Sequence, residues 1–595
     1  MRRAWVVAAA ALAFGCALFA TWPAASSPTD TILCNFVHPD CVSNHWLMVW
    51  VADQVAHGRS ILHNDAYYWP VGDAPWLAGN GSEGFGYLPF HLLFGWPTGS
   101  TIYLVGILTL NGLAGYTLAR AAGASPAAAL AAAPTASAML YAIHELGAGR
   151  FSQVSFCWMA FFLAAWLRFL RAPASSPSVL GGVGAAALLA VTSLFYWYYG
   201  LFSVLAGGTL LLFHLRRNDR PPIRALVVFA VSYLVLIGLL LWVFARYWAA
   251  IPGTAEDVFP HPESVGDSTF PGIPFLVNSG RHAGRALPFS TCVLAIAALF
   301  DRERRRLVLA WWAVALLFAG LMAGSLIPHG PYELIYGLAG PLRRFWWPYR
   351  HVVVLNLALT VLAALGAERW LKRPWLLFAL AVSIPVQLTL QGAPWHAQFS
   401  KAEMEKGEFY AKLADAPGDV LLEPPLAPQV ASAQTPLAYQ LLHHKKLLAG
   451  HALWVERVRP DAWDEFVAAN SLLSEMQRLE RGELDTTFTV SGPDVTALKD
   501  RGVRVIVLNQ EYFPLVLKPL TQSYDAVLTG LFGPPIAKGT RVKAWDLGNW
   551  TGATTVEFPK FTWPGDLRYG GPTLALQAPR PPSVIFSIPG PPREK

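Results

Sequence analysis

The run VLGGVGAAALLAVTSLFYWYYGLFSVLAGGTLLLF, residues 179–213, holds 35 residues without one charge. As a single straight helix at about 1.5 Å per residue it would reach roughly 50 Å. A bilayer's hydrocarbon core is about 30 Å thick. The run therefore predicts two membrane-crossing helices joined by a turn. That turn falls at YWYYG, residues 196–200, where interfacial aromatics meet a glycine.

Working outward, equally apolar stretches recur at 101–119, 125–143, 153–170, 222–247, 286–300, 306–327, 350–368 and 374–391. With helices at 178–196 and 198–214, and an N-terminal run behind Arg2 and Arg3, they give about eleven spans. The N-terminal run is long enough to stay as an uncleaved helix, while small residues at 24–27 keep a cleaved signal peptide open. Phe14 spoils a lipobox ahead of Cys16. Residues 23–98 are too charged to span, yet 42–57 and 86–94 carry helical apolar spacing and read as helices lying along the membrane surface.

Composition agrees: 54% of the chain is apolar and only 14% charged, against about 25% charged in soluble domains. The net charge of +7 is not a nucleic-acid footprint, because residues 392–595 carry 21 Lys and Arg against 22 Asp and Glu. The excess lies in the membrane part and orients it. With the N-terminus in the cytoplasm, inner loops hold sixteen basic residues and outer loops eight, as the positive-inside rule requires. The expected location is a bacterial inner membrane with the C-terminal domain in the periplasm.

Beyond residue 391 the pattern becomes that of a soluble domain. Residues 419–423, 446–449 and 503–509 read as short buried strands and 461–484 as an amphipathic helix. The expected fold is mainly α: a polytopic transmembrane helical bundle over 1–391, a soluble α/β or α+β domain over 392–576, and a Pro-rich tail over 577–595.

Of the sixteen carboxylates in residues 1–391, twelve fall outside, six of them in the first outer loop, and none in the middle of a span. The absence of an intramembrane acid weighs against a proton-driven transporter. No Walker or Rossmann motif and no zinc-type cysteine spacing occurs. An acid-rich outer loop with surface helices suits glycosyl transfer from a polyprenyl-phosphate sugar. A carboxylate there can take the acceptor's proton, and cations can hold the departing phosphate.

Four stretches carry a resemblance: HPDCVSNHW at 38–46, YYWPVG at 67–72, ELGAGRFSQ at 145–153 and PLRRFWWPYR at 341–350. Their succession resembles bacterial membrane proteins of the GT-C superfamily, related in architecture to protein O-mannosyltransferases, aminoarabinose transferases and oligosaccharyltransferase. The resemblance covers roughly residues 1–391, with a weaker echo in GVRVIVLN at 502–509. It implies a catalytic acid after the first helix, and Asp40 is the matching residue. Better-known members carry two adjacent acids there, where this chain has Asp40 alone.

Each candidate has a plainer alternative. Asp40 also suits a helix N-cap. Glu83, among glycines, is the candidate second acid or a surface turn, and His45 can orient Asp40, ligate a divalent cation or simply pack. Glu145 and Arg150, with Gln153 nearby, form either a helix-pinning salt bridge or part of a carrier-phosphate site. Arg343, Arg344 and Arg350 suit bidentate phosphate binding or a snorkelling belt. Cys34 and Cys41 form a disulfide if their loop is periplasmic, or stay as buried thiols. The expected partners are membrane lipid, a polyprenyl-phosphate-linked sugar and an acceptor of unread identity, with no nucleic acid and no cofactor beyond that divalent cation. The rival functions are a flippase for a lipid-linked glycan and a non-catalytic scaffold for envelope assembly.

Overall fold

The computed structural model describes residues 2–35, 39–61, 64–72, 82–171, 179–215, 223–248, 286–338, 342, 345, 347–393, 400–401, 406–426, 435–449, 460–513 and 517–560. The chain divides into two compact units. The first takes Met1–Ser60 and Leu77–Ala402, the second Ile61–Trp76 and Glu403–Lys595. The second unit thus draws on the first loop, which a single boundary at residue 392 does not anticipate.

The first unit is helical. Arg2–Thr21 (α1) is followed by Pro39–Ala56 (α2), Glu83–Phe94 (α3) and Thr98–Ala121 (α4). Both stretches outside the spans that were expected to be helical are therefore helices, α2 and α3. The stretch 125–143, expected as one span, is instead broken into a 3-10 turn at Ala128–Ala131 and helices Ala132–Ser137 (α5) and Leu140–Gly147 (α6). Pro134 sits in the first turn of α5, where its missing N–H is tolerated, and the break between α5 and α6 falls at Met139, which adopts extended ψ. Phe151–Val154 (α7) and Cys157–Leu170 (α8) follow.

The long uncharged run divides as its length demands, into Val179–Phe195 (α9) and Trp197–Leu215 (α10), with Tyr196 between them and the two helices packed together. The unit continues with Ile223–Trp248 (α11), Phe289–Ala297 (α12), Arg305–Ala323 (α13), Pro331–Leu338 (α14), Val352–Trp370 (α15) and Pro374–Leu390 (α16). Among the described residues six helices are long and apolar enough to cross a membrane, and α9, Phe289–Phe300 and α16 are shorter apolar helices. The chain is an integral membrane protein. Most of the α15 span is buried, whereas that of α11 is almost wholly exposed, as suits a helix facing lipid.

Lipid supplies no hydrophobic drive between helices, so close packing must. On α4 the glycines of GLAG, residues 112–115, provide it: a Cβ on Gly112 would stand 2.8 Å from the Ala133 carbonyl, and one on Gly115 2.9 Å from that of Ala132. Ser137 Oγ donates to Ala13 O at 2.7 Å across the same contact. Just beyond the C-terminus of α4, Arg304 pairs with Asp301 at 2.8 Å and Glu368 at 2.7 Å, and Glu368 also accepts from Ser125 N at 3.0 Å. A short antiparallel ladder joins Thr31–Ile32 (β1) to Ser400–Lys401 (β2).

The second unit holds a five-stranded mixed sheet built from Val420–Leu422 (β3), Lys446–Leu447 (β4), Val503–Asn509 (β6), Ala537–Gly539 (β7) and Val542–Asp546 (β8). Thr487–Thr489 (β5) pairs separately with Thr555–Glu557 (β9). In the order β4-β3-β6-β8-β7 the first three strands run parallel and the last two pairings are antiparallel. Central β6 is buried on both faces, which is why it reads as an almost unbroken apolar run. The segment around Tyr68 lines the free edge of β4: Leu447 N donates to Ala66 O at 2.8 Å and Trp69 N to Leu447 O at 3.2 Å. The helix expected over 461–484 is two helices, Asp461–Ala468 and Ser471–Glu480, the second capped by the Asn470 side chain.

Candidate functional site

The site is assembled where α1 has ended, α8 has not begun, and α15 starts. Asp40 lies in the first turn of α2, one residue inside the helix rather than at its cap, where a carboxylate complements the helix dipole. Arg150 precedes α7, and its Nε donates to Asp40 Oδ2 at 2.7 Å. Its Nη1 donates to Glu145 Oε2 at 3.1 Å and lies 3.4 Å from the Tyr349 hydroxyl. That hydroxyl donates in turn to Glu145 Oε1 at 2.9 Å. One guanidinium thus bridges two carboxylates, one part-exposed and one fully buried.

Burial works to raise the Glu145 carboxyl, but Arg150, His144, Arg350 and the Tyr349 hydrogen bond together hold it below the usual carboxylate range. Burial works against the Arg150 charge as well, and Glu145, Tyr349 and Asp40 overcome it. Both groups stay ionised. Gln153 is fixed beside them, accepting from Tyr141 Oη at 3.1 Å through its side chain and from the Tyr199 hydroxyl through its carbonyl.

Arg350 lies against an aromatic wall, its guanidinium carbon 4.7 Å from the Tyr198 ring centre, 5.4 Å from Trp347 and 5.8 Å from Tyr196. Its buried Nε and the Tyr196 hydroxyl have no hydrogen-bond partner among the described residues. Buried polar atoms are almost always paired, so an open guanidinium donor is suited to an incoming anion. Arg343 and Arg344 fall outside the described residues.

Glu83 belongs to a different network. It is buried, and its two oxygens accept from the Tyr103 hydroxyl and from Ser155 Oγ, the latter at 2.9 Å. Burial pushes its carboxyl up to about 7, against the pull of both hydrogen bonds. His45 is also buried, which lowers its imidazole to about 3 and leaves it neutral. It accepts from Trp96 Nε1 at 3.4 Å and packs edge-on to Phe151. Cys34 and Cys41 are joined in a disulfide.

The donor set does not suit a hard divalent cation, which needs several oxygens converging on one point. Between Asp40 and Glu145 the Arg150 guanidinium already stands, with hydrogen bonds to both. The one group of closely spaced His, Cys, Asp or Glu donors among the described residues is Cys34, Cys41 and His45, and its two sulfurs are spent on each other.

Tyr349, Tyr198, Tyr103 and Ser155 were not singled out from the sequence. Tyr349 stands inside the 341–350 motif but reads there as one more interfacial aromatic. The pointer was Glu145 and Arg150 themselves, whose remaining oxygen and N–H need partners.

The fold of the chain is similar to that of several solved structures. The fold matches arabinofuranosyltransferase AftD from Mycobacteria with a TM-score of 0.53, at 14% identity over 92% of this chain and 40% of that one. This chain therefore spans about two fifths of AftD. It aligns with ArnT from Cupriavidus metallidurans at a TM-score of 0.48, 15% identity, over 92% and 98% of the two chains. The Archaeoglobus fulgidus oligosaccharyltransferase gives 0.44, 11% identity, over 85% and 69%. No family model and no curated protein matches the sequence.

Proposed function

We propose that this protein is a membrane glycosyltransferase that moves a sugar from a polyprenyl-phosphate carrier to an envelope acceptor at the outer face of the inner membrane. The observation that carries the reading is the part-exposed Asp40, held by an arginine that is itself anchored on buried Glu145. Asp40 takes the proton of the acceptor hydroxyl as its oxygen attacks the anomeric carbon. The bond from that carbon to the phosphate oxygen breaks, and the phosphate leaves on the carrier with inversion at the sugar. Arg350 supplies an open donor to the departing phosphate, with Arg343 and Arg344 as its neighbours in sequence.

Glu83 then serves as a buried tie between α3, α4 and the turn before α8, and Glu145 replaces it as the second carboxylate of the site. His45 packs rather than acts. The reading keeps eleven membrane crossings, with the broken stretch 125–143 counted as one, and the N-terminus in the cytoplasm. The Arg304, Asp301 and Glu368 cluster supports that orientation, lying toward the ends of the spans away from Asp40. The second unit, Ile61–Trp76 with residues 403–576, is a periplasmic module that recognises the acceptor, with 577–595 as a Pro-rich tail.

The test uses the full chain in proteoliposomes with polyprenyl-phosphate carrying labelled pentoses and hexoses. Arabinofuranose comes first, since AftD is named for it. Release of sugar from the carrier onto an acceptor supports the proposal. Movement of intact carrier across the bilayer without release supports the flippase reading instead.

A further inference from the structure

Asp40 and Arg150 meet because the residues beside them already touch. Gly149, at φ +78°, lies so close to Cys41 that a Cβ would overlap the Cα and N of Cys41. Only glycine permits both that φ and that approach. On the other side of the bridge, Asn35 N donates to Gly147 O at 2.8 Å. Asn35 and Cys41 are therefore both held against the 147–150 turn, and the disulfide joins Cys41 to Cys34.

Bridges stabilise most when they close long loops. A sequence separation of 7 is short, so what this bridge contributes is local geometry. Both sulfurs are wholly buried, and the buried His45 ring and the α2 backbone continue from them. Asp40 is the residue immediately before the bridged Cys41, and Arg150 the one immediately after Gly149. Displacing either backbone by an ångström shifts the carboxylate relative to its guanidinium.

We propose that the Cys34–Cys41 disulfide and Gly149 are positioning elements for Asp40, so that sugar transfer requires the oxidised bridge. This rests on the reading of Asp40 as the base. Misplacement of a reacting group by about 1 Å costs on the order of 10²-fold in rate. Because these elements adjoin Asp40 and Arg150 in the chain, the loss falls on kcat and leaves the donor KM unchanged.

The experiment compares wild type, C34A/C41A and G149A in the same transfer assay, with kcat and donor KM measured separately. Wild type is also titrated with a water-soluble phosphine in sub-denaturing urea, which opens the buried bridge to the reagent, and returned to native buffer before assay. The phosphine becomes its oxide with oxygen from water, and the bridge becomes two thiols, counted by mass tagging. The expected result is a kcat at least tenfold lower in both variants with donor KM within about twofold, where 1 Å of displacement sets the scale. In the titration kcat tracks the fraction of intact bridge and recovers on reoxidation. The titration decides the matter even if a variant fails to fold. Full reduction with unchanged kcat overturns the inference while leaving transfer itself in place. Wild type that transfers nothing from any donor overturns the functional reading instead.

Discussion

Replacing Arg150 by Met should destabilise the protein in a pH-dependent way, because Glu145 is wholly buried and Arg150 is its main positive neighbour. In the wild type the Glu145 carboxyl titrates below its ordinary value of 4.5, so its contribution to stability is present above that value and is lost as pH falls through the lowered one. Without Arg150 the sign reverses. Burial then dominates, the carboxyl is raised, and stability is present below 4.5 and lost as pH rises. At pH 8 an uncompensated buried charge costs about 3–5 kcal/mol. His144 and Arg350 remain nearby, which favours the lower figure. At pH 4 only hydrogen bonds are lost, about 1 kcal/mol. Urea unfolding in micelles, followed by tryptophan fluorescence at pH 4, 6 and 8, measures the gap. The double variant E145Q/R150M should be more stable at pH 8 than R150M alone, since it leaves no stranded charge. A gap between R150M and wild type that stays constant from pH 4 to 8 would refute the reasoning.

Glu83 carries its own pH signature: its carboxyl titrates at about 7 in the fold against 4.5 unfolded, so its contribution is full below 4.5 and lost as pH rises through 7. E83Q should remove that loss, up to about 3 kcal/mol between pH 5 and 8, and should keep transfer activity; a collapse of kcat with normal folding would return Glu83 to the chemistry. In the second unit burial pushes Glu423 up to about 8, and one of its oxygens accepts from Tyr410 at 2.8 Å. E423Q should therefore hold stability flat from pH 5 to 9 where wild type declines, as read by the same unfolding assay on the full chain. R350A should raise the donor KM by about 10–100-fold, the worth of a charge-assisted hydrogen bond to phosphate; an unchanged KM would release Arg350 from that role.

Much of the bundle was legible because span length and charge are one-dimensional properties. The turn at Tyr196 follows from the bilayer's thickness alone, and α2 and α3 follow from apolar period. The break inside 125–143 was not, because an alanine-rich stretch has the composition of a span whether or not the backbone turns extended at Met139. The attachment of Tyr68 and Trp69 to β4 was also hidden, since strand-edge pairing across hundreds of residues leaves no local period. In the site, Asp40 and Glu83 look alike as acids of one loop. Environment separates them: Asp40 meets a cation, while Glu83 is buried against two hydroxyls. Tyr349 was invisible for a related reason, as an aromatic among aromatics is singled out only by the carboxylate its hydroxyl reaches.

The central claim is that Asp40 takes a proton during sugar transfer. The most direct measurement is the rate of label transfer from polyprenyl-phosphate sugars by D40N, in protein that folds and reconstitutes like wild type. Loss of a positioned general base predicts a fall in kcat of about 10²–10⁴-fold with little change in donor KM. Transfer by D40N at the wild-type rate would contradict the account.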